Sequence, residues 1–181
     1  MGFSEKKYIM SSANKNLSAV EGTRVPDAKP FKFGIVYSEW NYEITNALKE
    51  GALKTLLSSG ADENNIIVKE VPGSFELTLG AQYMAEMADV DAVICLGCVI
   101  QGETRHFDFI CDAVAKGITN LNIKYNKPFI FGVLTPDNQQ QALDRAGGKH
   151  GNKGDEAAIT AIKMLALKRS FKADRSLGFS R

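Results

Sequence analysis

The sequence predicts an α/β fold in which helices cover both faces of a parallel sheet. Two observations predict it. Four short apolar runs, at residues 33–37, 66–68, 92–100 and 129–134, are rich in β-branched and aromatic residues, as strands are. They start about 30 residues apart, room for one strand, one helix and two loops in a βαβ unit. The segments between them carry helical spacing. Continuous apolar strands alternating with amphipathic helices make a sheet buried on both sides.

The first strand, Phe33-Gly34-Ile35-Val36-Tyr37, runs into Ser38-Glu39-Trp40-Asn41, a loop holding the sole tryptophan. The second, Ile66-Ile67-Val68, leads to Val71-Pro72-Gly73-Ser74-Phe75-Glu76. Pro72 and Gly73 predict a sharp turn there, and Ser74 suits a helix start. Leu77, Ala81, Met84, Ala85 and Ala88 then form one helical stripe. The third strand, 92–100, ends before Gly102-Glu103-Thr104-Arg105-His106, and Phe107, Ile110, Cys111, Val114, Ile118 and Leu121 line the following helix. The fourth strand gives way to Thr135-Pro136-Asp137-Asn138, and a glycine-rich basic stretch follows from Arg145 to Glu156. Its backbone N–H groups at a helix start, with Arg145, Lys149 and Lys153, suit a phosphate. Ala158, Ala161, Ile162, Leu165 and Ala166 mark the last helix. No Walker A pattern and no G-x-G-x-x-G after the first strand are present, so neither a P-loop nor a dinucleotide fingerprint applies.

Composition bounds the function. The chain has 181 residues, one domain's worth. Lys+Arg number 22 and Asp+Glu 21, an even balance that gives no support for nucleic-acid binding. No apolar run nears the ~20 residues of a membrane span. Cys95, Cys98 and Cys111 are too few for a disulfide framework, and no second pair completes a zinc site with the C-x-x-C of Cys95 and Cys98. Reduced, buried thiols in a cytoplasmic protein are the expectation. Residues 1–30 are rich in Lys, Ser, Asn and Ala without an apolar signal core, and Lys6 replaces the Ser or Thr of a myristoylation site. They read as a flexible arm, 31–172 as the folded domain and 173–181 as a flexible tail.

In such sheets ligands bind beyond the carboxyl ends of the strands. Taken singly, each residue there has an ordinary reading: Trp40, Phe75 and Phe131 as packing groups, His106 as a structural histidine, Lys149 and Lys153 as solvated charges, Arg145 as a surface partner of Asp144 or Glu156. Their convergence on the ends of four different strands favours a site.

The stretches GIVYSEWN, VPGSFELT, CLGCVIQGETRHFDFI, PFIFGVLTPDNQQQALDRAGGKHGNKG and AAITAIKMLAL resemble the lumazine synthase family, in order and spacing, from about Phe33 to about Leu167. The resemblance implies a flavodoxin-like three-layer α/β/α sandwich with a four-stranded parallel sheet. It implies homopentamers, twelve of which form a hollow shell in some members, and it allows association with riboflavin synthase. It implies condensation of 5-amino-6-(D-ribitylamino)uracil with 3,4-dihydroxy-2-butanone 4-phosphate, without metal or organic cofactor. Residue by residue, Trp40 matches an aromatic stacked on the pyrimidine. Ser74, Phe75 and Glu76 match a segment holding the pyrimidine and its ribityl chain, and Cys98, Val99 and Ile100 one whose backbone bonds the heterocycle. Glu103 and Thr104 match a phosphate-binding turn, and His106 the proton-transferring histidine. Phe131 matches a ring supplied by the adjacent subunit, and Arg145 and Lys153 match phosphate partners. Arg105 is bulkier than the family's usual residue and either steers phosphate or faces solvent. The short glycine-rich turn before the last helix is the form found in shell-building members.

Overall fold

The computed structural model describes residues 25–176; the greater part of the N-terminal arm and residues 177–181 of the expected tail lie outside them. Strands β1 (Phe33–Ser38), β2 (Ile66–Val71), β3 (Ala92–Cys98) and β4 (Phe129–Leu134) form one parallel sheet in the order β2-β1-β3-β4. β3 is buried at every residue, whereas the edge strand β2 is only partly covered. That difference is why the third apolar run is longest, and why β2 extends past its run through Lys69 and Glu70 to Val71. β3 stops two residues short of its apolar run. Val99 still donates its N–H to Leu134 O at 2.8 Å, but Ile100 leaves the ladder.

Helices α1 (Tyr42–Ser58) and α5 (Lys153–Ser176) cover one face, with α4 (Gln139–Arg145) beside them. There Ile44, Leu48, Ala52, Leu56, Ala158 and Ile162 pack on Phe33, Ile35, Ile94 and Leu96. Helices α2 (Leu77–Met87) and α3 (His106–Tyr125) cover the other, with Leu77, Ala81, Val114 and Ile118 on Val36, Val93 and Cys95. The three-layer α/β/α architecture is as expected. α1 and α5 cross so closely that a side chain on Gly154 would overlap the Leu48 carbonyl oxygen. Asn152 stitches the crossing: its side chain donates to Ala47 O and accepts from Gly154 N–H, each at 2.8 Å.

One segment departs from the sequence reading. The glycine-rich stretch is no plain loop: β5 (Ala146–Gly148) and β6 (Gly151–Asn152) form a small antiparallel hairpin after α4. Gly147 and Gly151 take φ of 116° and 74°, left-handed values that only glycine adopts cheaply. At the ends of the domain, Ala28 is buried and donates its N–H to Ser59 O at 2.8 Å, while α5 continues through Ser176. Among the described residues no helix is long and apolar enough to cross a membrane.

Candidate active site at the switch point and the β4 edge

The connections leave the adjacent strands β1 and β3 for opposite faces of the sheet, and this opens a crevice at their carboxyl ends. The loop after β1 is tied to both of its neighbours. Glu39 and Trp40 donate backbone N–H groups to Val71 O (2.8 Å), at the end of β2, and Pro72 O (3.1 Å), just beyond it. Asn41 reaches the other way, its side-chain amide donating to Cys98 O at 3.0 Å. Trp40 is therefore held at the crevice with 73% of its surface exposed, an aromatic face not spent on packing.

Ser74 is buried and its hydroxyl points at Cys98 O, at a long 3.5 Å. It does not cap α2 with its side chain. Its carbonyl accepts the Leu77 N–H at 3.2 Å, and Glu76 occupies the position before the helix. Phe75, between them, is 56% exposed, and Glu76 is exposed beside Gly73. Cys98 contributes backbone only: burial pushes its thiol up to about 12, too high for ionisation at neutral pH. In the segment 98–101, Cys98 O, Val99 N–H and Gln101 N–H are all engaged within the chain. The Ile100 N–H has no partner among the described residues, so it is the donor this edge offers to a ligand.

Glu103, Thr104 and His106 form an exposed turn leading into α3, where His106 N–H lies 3.4 Å from Thr104 Oγ1. The peptide groups at the start of this 20-residue helix direct N–H dipoles outward, a setting that favours an anion. Arg105 is turned along the helix surface, 3.7 Å from Asp108 and over the Phe109 ring.

A second group lies elsewhere. Phe131, on the sheet's edge strand, is 43% exposed and lines a shallow groove with Lys153, Glu156 and Thr160. Lys153 Nζ pairs with Glu156 at 2.8 Å. The hairpin sets Ala146 opposite Asn152, so Arg145 and Lys153 flank its open end. The surface pairing of Arg145 with Asp144 or Glu156 does not form. Asp144 takes Lys149 (2.8 Å) instead, while Arg145 donates to Gln141 O at 3.1 Å and makes no ion pair among the described residues. One chain thus gathers Trp40, Ser74, Phe75, Glu76, residues 98–100, Glu103, Thr104 and His106 on the strand ends. It places Phe131, Arg145 and Lys153 by β4 and the hairpin. Sequence reasoning missed Asn41 as a separate participant, and Gly97 beneath Ser74, because neither residue type signals a cross-strand contact.

No cluster of three or more metal-ligating side chains occurs among the described residues. Cys95 and Cys98 are free and buried, as expected, and Cys111 is half-buried.

Residues 30–169 match the family model described as 6,7-dimethyl-8-ribityllumazine synthase. Proteins of that name are similar to the chain over nearly their whole length. One from Cytophaga hutchinsonii is 67% identical over 87% of this chain and 98% of its own. One from Parabacteroides distasonis is 57% identical over 86% and 98%, and one from Porphyromonas gingivalis 53% identical over 88% and 99%.

Proposed function

The chain belongs to the 6,7-dimethyl-8-ribityllumazine synthase family, and we propose that its two groups of residues are the two halves of that enzyme's active site. It acts in riboflavin biosynthesis, joining 5-amino-6-(D-ribitylamino)uracil to 3,4-dihydroxy-2-butanone 4-phosphate and releasing phosphate and water.

The chemistry allots roles to the residues. Trp40 stacks on the planar pyrimidine, and the Ile100 N–H bonds its polar edge. Ser74, Phe75 and Glu76 enclose the ribityl chain, whose hydroxyls Glu76 accepts. The pyrimidine amine attacks the ketone, and loss of water leaves a Schiff base. A proton leaves the adjacent carbon, phosphate departs, and ring closure with a further loss of water gives the lumazine. His106, at the mouth of the crevice, carries protons in these steps. Thr104 and the start of α3 receive the phosphate, with Glu103 shaping the turn, and Arg145 grips it with a forked guanidinium. Lys153 adds a point charge. Every step is an addition, an elimination or a proton transfer, so the reaction calls for no redox cofactor or metal. Holding two substrates together supplies much of the rate, up to ~7–11 kcal/mol in well-oriented systems.

The placement of Phe131 and Lys153 in a groove on the open β4 edge supports a site completed by a neighbouring copy. The assembly is a homopentamer, and the short hairpin before α5 favours closure of twelve pentamers into a sixty-subunit shell. A shell would bring lumazine close to an associated riboflavin synthase that consumes it. Its free thiols and soluble substrates suit the cytoplasm.

The observation that carries the reading is the meeting of Trp40, Ser74 and the Ile100 N–H at the switch point, in a chain of this family. Incubation with both substrates should produce lumazine fluorescence, and omission of either should abolish it. Lumazine supplied alone should give no riboflavin; if it does, the chain is instead a riboflavin synthase of the same fold.

A further inference from the structure

Asn41 occupies an unusual position. It directly precedes α1, where an asparagine side chain ordinarily accepts an N–H from the helix's first turn. Here the side chain makes no such bond. The backbone carbonyl serves that end instead, accepting from Ile44 N–H (2.9 Å) and Thr45 N–H (3.1 Å). The amide is turned across the crevice to Cys98 O. The backbone sits at φ 61°, left-handed, a region that asparagine tolerates better than most residues but at some cost. A forgone cap and a strained backbone are thus both traded for one cross-strand hydrogen bond.

That bond joins the two walls of the proposed pyrimidine slot. Trp40, the preceding residue, supplies the aromatic wall. The strand end carrying Cys98 leads two residues on to the Ile100 N–H. Backbone bonds from Glu39 and Trp40 fix this loop only against the β2 side. Among the described residues, the other side chain that reaches Cys98 O is Ser74, in a weaker contact. We infer that Asn41 is a positioning residue that sets the spacing between the Trp40 ring and the residue 98–100 backbone, and so determines affinity for the planar pyrimidine. The inference rests on the lumazine synthase reading of the site.

Two variants test it. Asn41→Asp keeps size and tolerance of the left-handed backbone but replaces the donor by an acceptor facing Cys98 O. Asn41→Gly keeps the backbone freedom and removes the side chain. Each should raise KM for the pyrimidine about tenfold, the scale of one lost hydrogen bond, while KM for the butanone phosphate stays within twofold. The single tryptophan gives a second readout. Quenching of Trp40 emission by the lumazine product should need a correspondingly higher concentration in both variants. A merely structural role would lower thermal stability without separating the two KM values. An unchanged pyrimidine KM in an active, folded variant, or equal rises for both substrates, would overturn the inference. Failure of the wild-type chain to form lumazine would instead strike the functional reading beneath it.

Discussion

The Ser74 hydroxyl lies 2.7 Å from the point a Cβ on Gly97 would occupy, and Leu77 Cδ1 lies 2.8 Å from it. Gly97 is thus the floor on which the start of the Ser74–Glu76 segment rests. A methyl group there must push the serine away from Cys98 or the leucine out of the core. Gly97→Ala should cost ~1–3 kcal/mol, the usual penalty of overpacking, and raise the pyrimidine KM as well. Gly102, with nothing within 4 Å of such a Cβ, is the control. Gly102→Ala should stay within about 0.5 kcal/mol of wild type, as exposed substitutions do. Urea unfolding of both variants decides the point, and equal stabilities would refute the packing account.

His106→Ala should slow turnover without abolishing it. A general acid–base group contributes ~10²–10⁴-fold, while stacking, phosphate binding and substrate proximity survive. Single-turnover kinetics with both substrates bound measures the loss directly. An unchanged rate would remove His106 from the mechanism.

Most of this architecture is legible because β1, β3 and, apart from Phe131, β4 are largely buried, and burial writes itself as continuous apolar sequence. β2 reads short in the sequence because two consecutive charges, Lys69 and Glu70, lie exposed in its C-terminal half at the sheet edge. α4 escaped notice for a different reason. Gln139, Gln140 and Gln141 are polar and seven residues hold too few turns to show a period; only Ala142 and Asp144 are buried. The hairpin at Ala146 was hidden in a run of glycines, which specify conformational freedom rather than a shape. Among site residues, Trp40, His106 and Arg145 stood out by their chemistry. Asn41 did not, because what matters is a left-handed backbone and an amide aimed across a crevice, and neither is a property of residue type.

Arg145→Ala should raise KM for the butanone phosphate far more than for the pyrimidine, because an arginine fork meets a phosphate with two aligned donors. Lys153→Ala should act in the same direction but more weakly, as a lysine offers a point charge without the fork. Lys153 is also partly neutralised by Glu156. Steady-state kinetics with each substrate varied in turn measures the difference. Equal rises in both KM values would count against a phosphate role for either residue.

Alkaline pH should weaken the fold through its two core thiols. Burial pushes both Cys95 and Cys98 from an ordinary 9.0 up to about 12. Between those values the unfolded chain has lost protons that the folded chain keeps, so stability present below pH 9 declines as pH rises toward 12. Lysines and tyrosines also titrate there, so the comparison must be internal. A Cys95→Ala, Cys98→Ala variant will be less stable at pH 7 from lost packing, yet its urea midpoint should fall less steeply between pH 8.5 and 10.5. Parallel slopes would mean that the thiols do not contribute.

A site divided between copies makes the strongest demand, because two impaired proteins should then restore each other. His106→Ala damages the half at the strand ends. A Phe131→Ala, Arg145→Ala, Lys153→Ala variant, assayed with both substrates below its raised KM values, damages the half at the β4 edge and the hairpin. If each site takes its strand-end half from one subunit and its edge half from the next around a closed ring, equal mixing leaves about a quarter of the sites with both halves intact. Mixed, unfolded together and refolded, the two proteins should therefore recover about a quarter of wild-type activity. This lies well above the residual activity of the His106 variant, given the ~10²–10⁴-fold scale of its loss. If all these residues served a site within one chain, no mixing could join an intact His106 half to an intact Lys153 half in the same protein. Activity would then remain at the average of the two variants. Light scattering on the same samples reads the assembly itself. A mass near five chains supports the pentamer and removes the shell, and a mass near sixty supports both. An active particle of single-chain mass would remove the shared site, whatever the mixing showed.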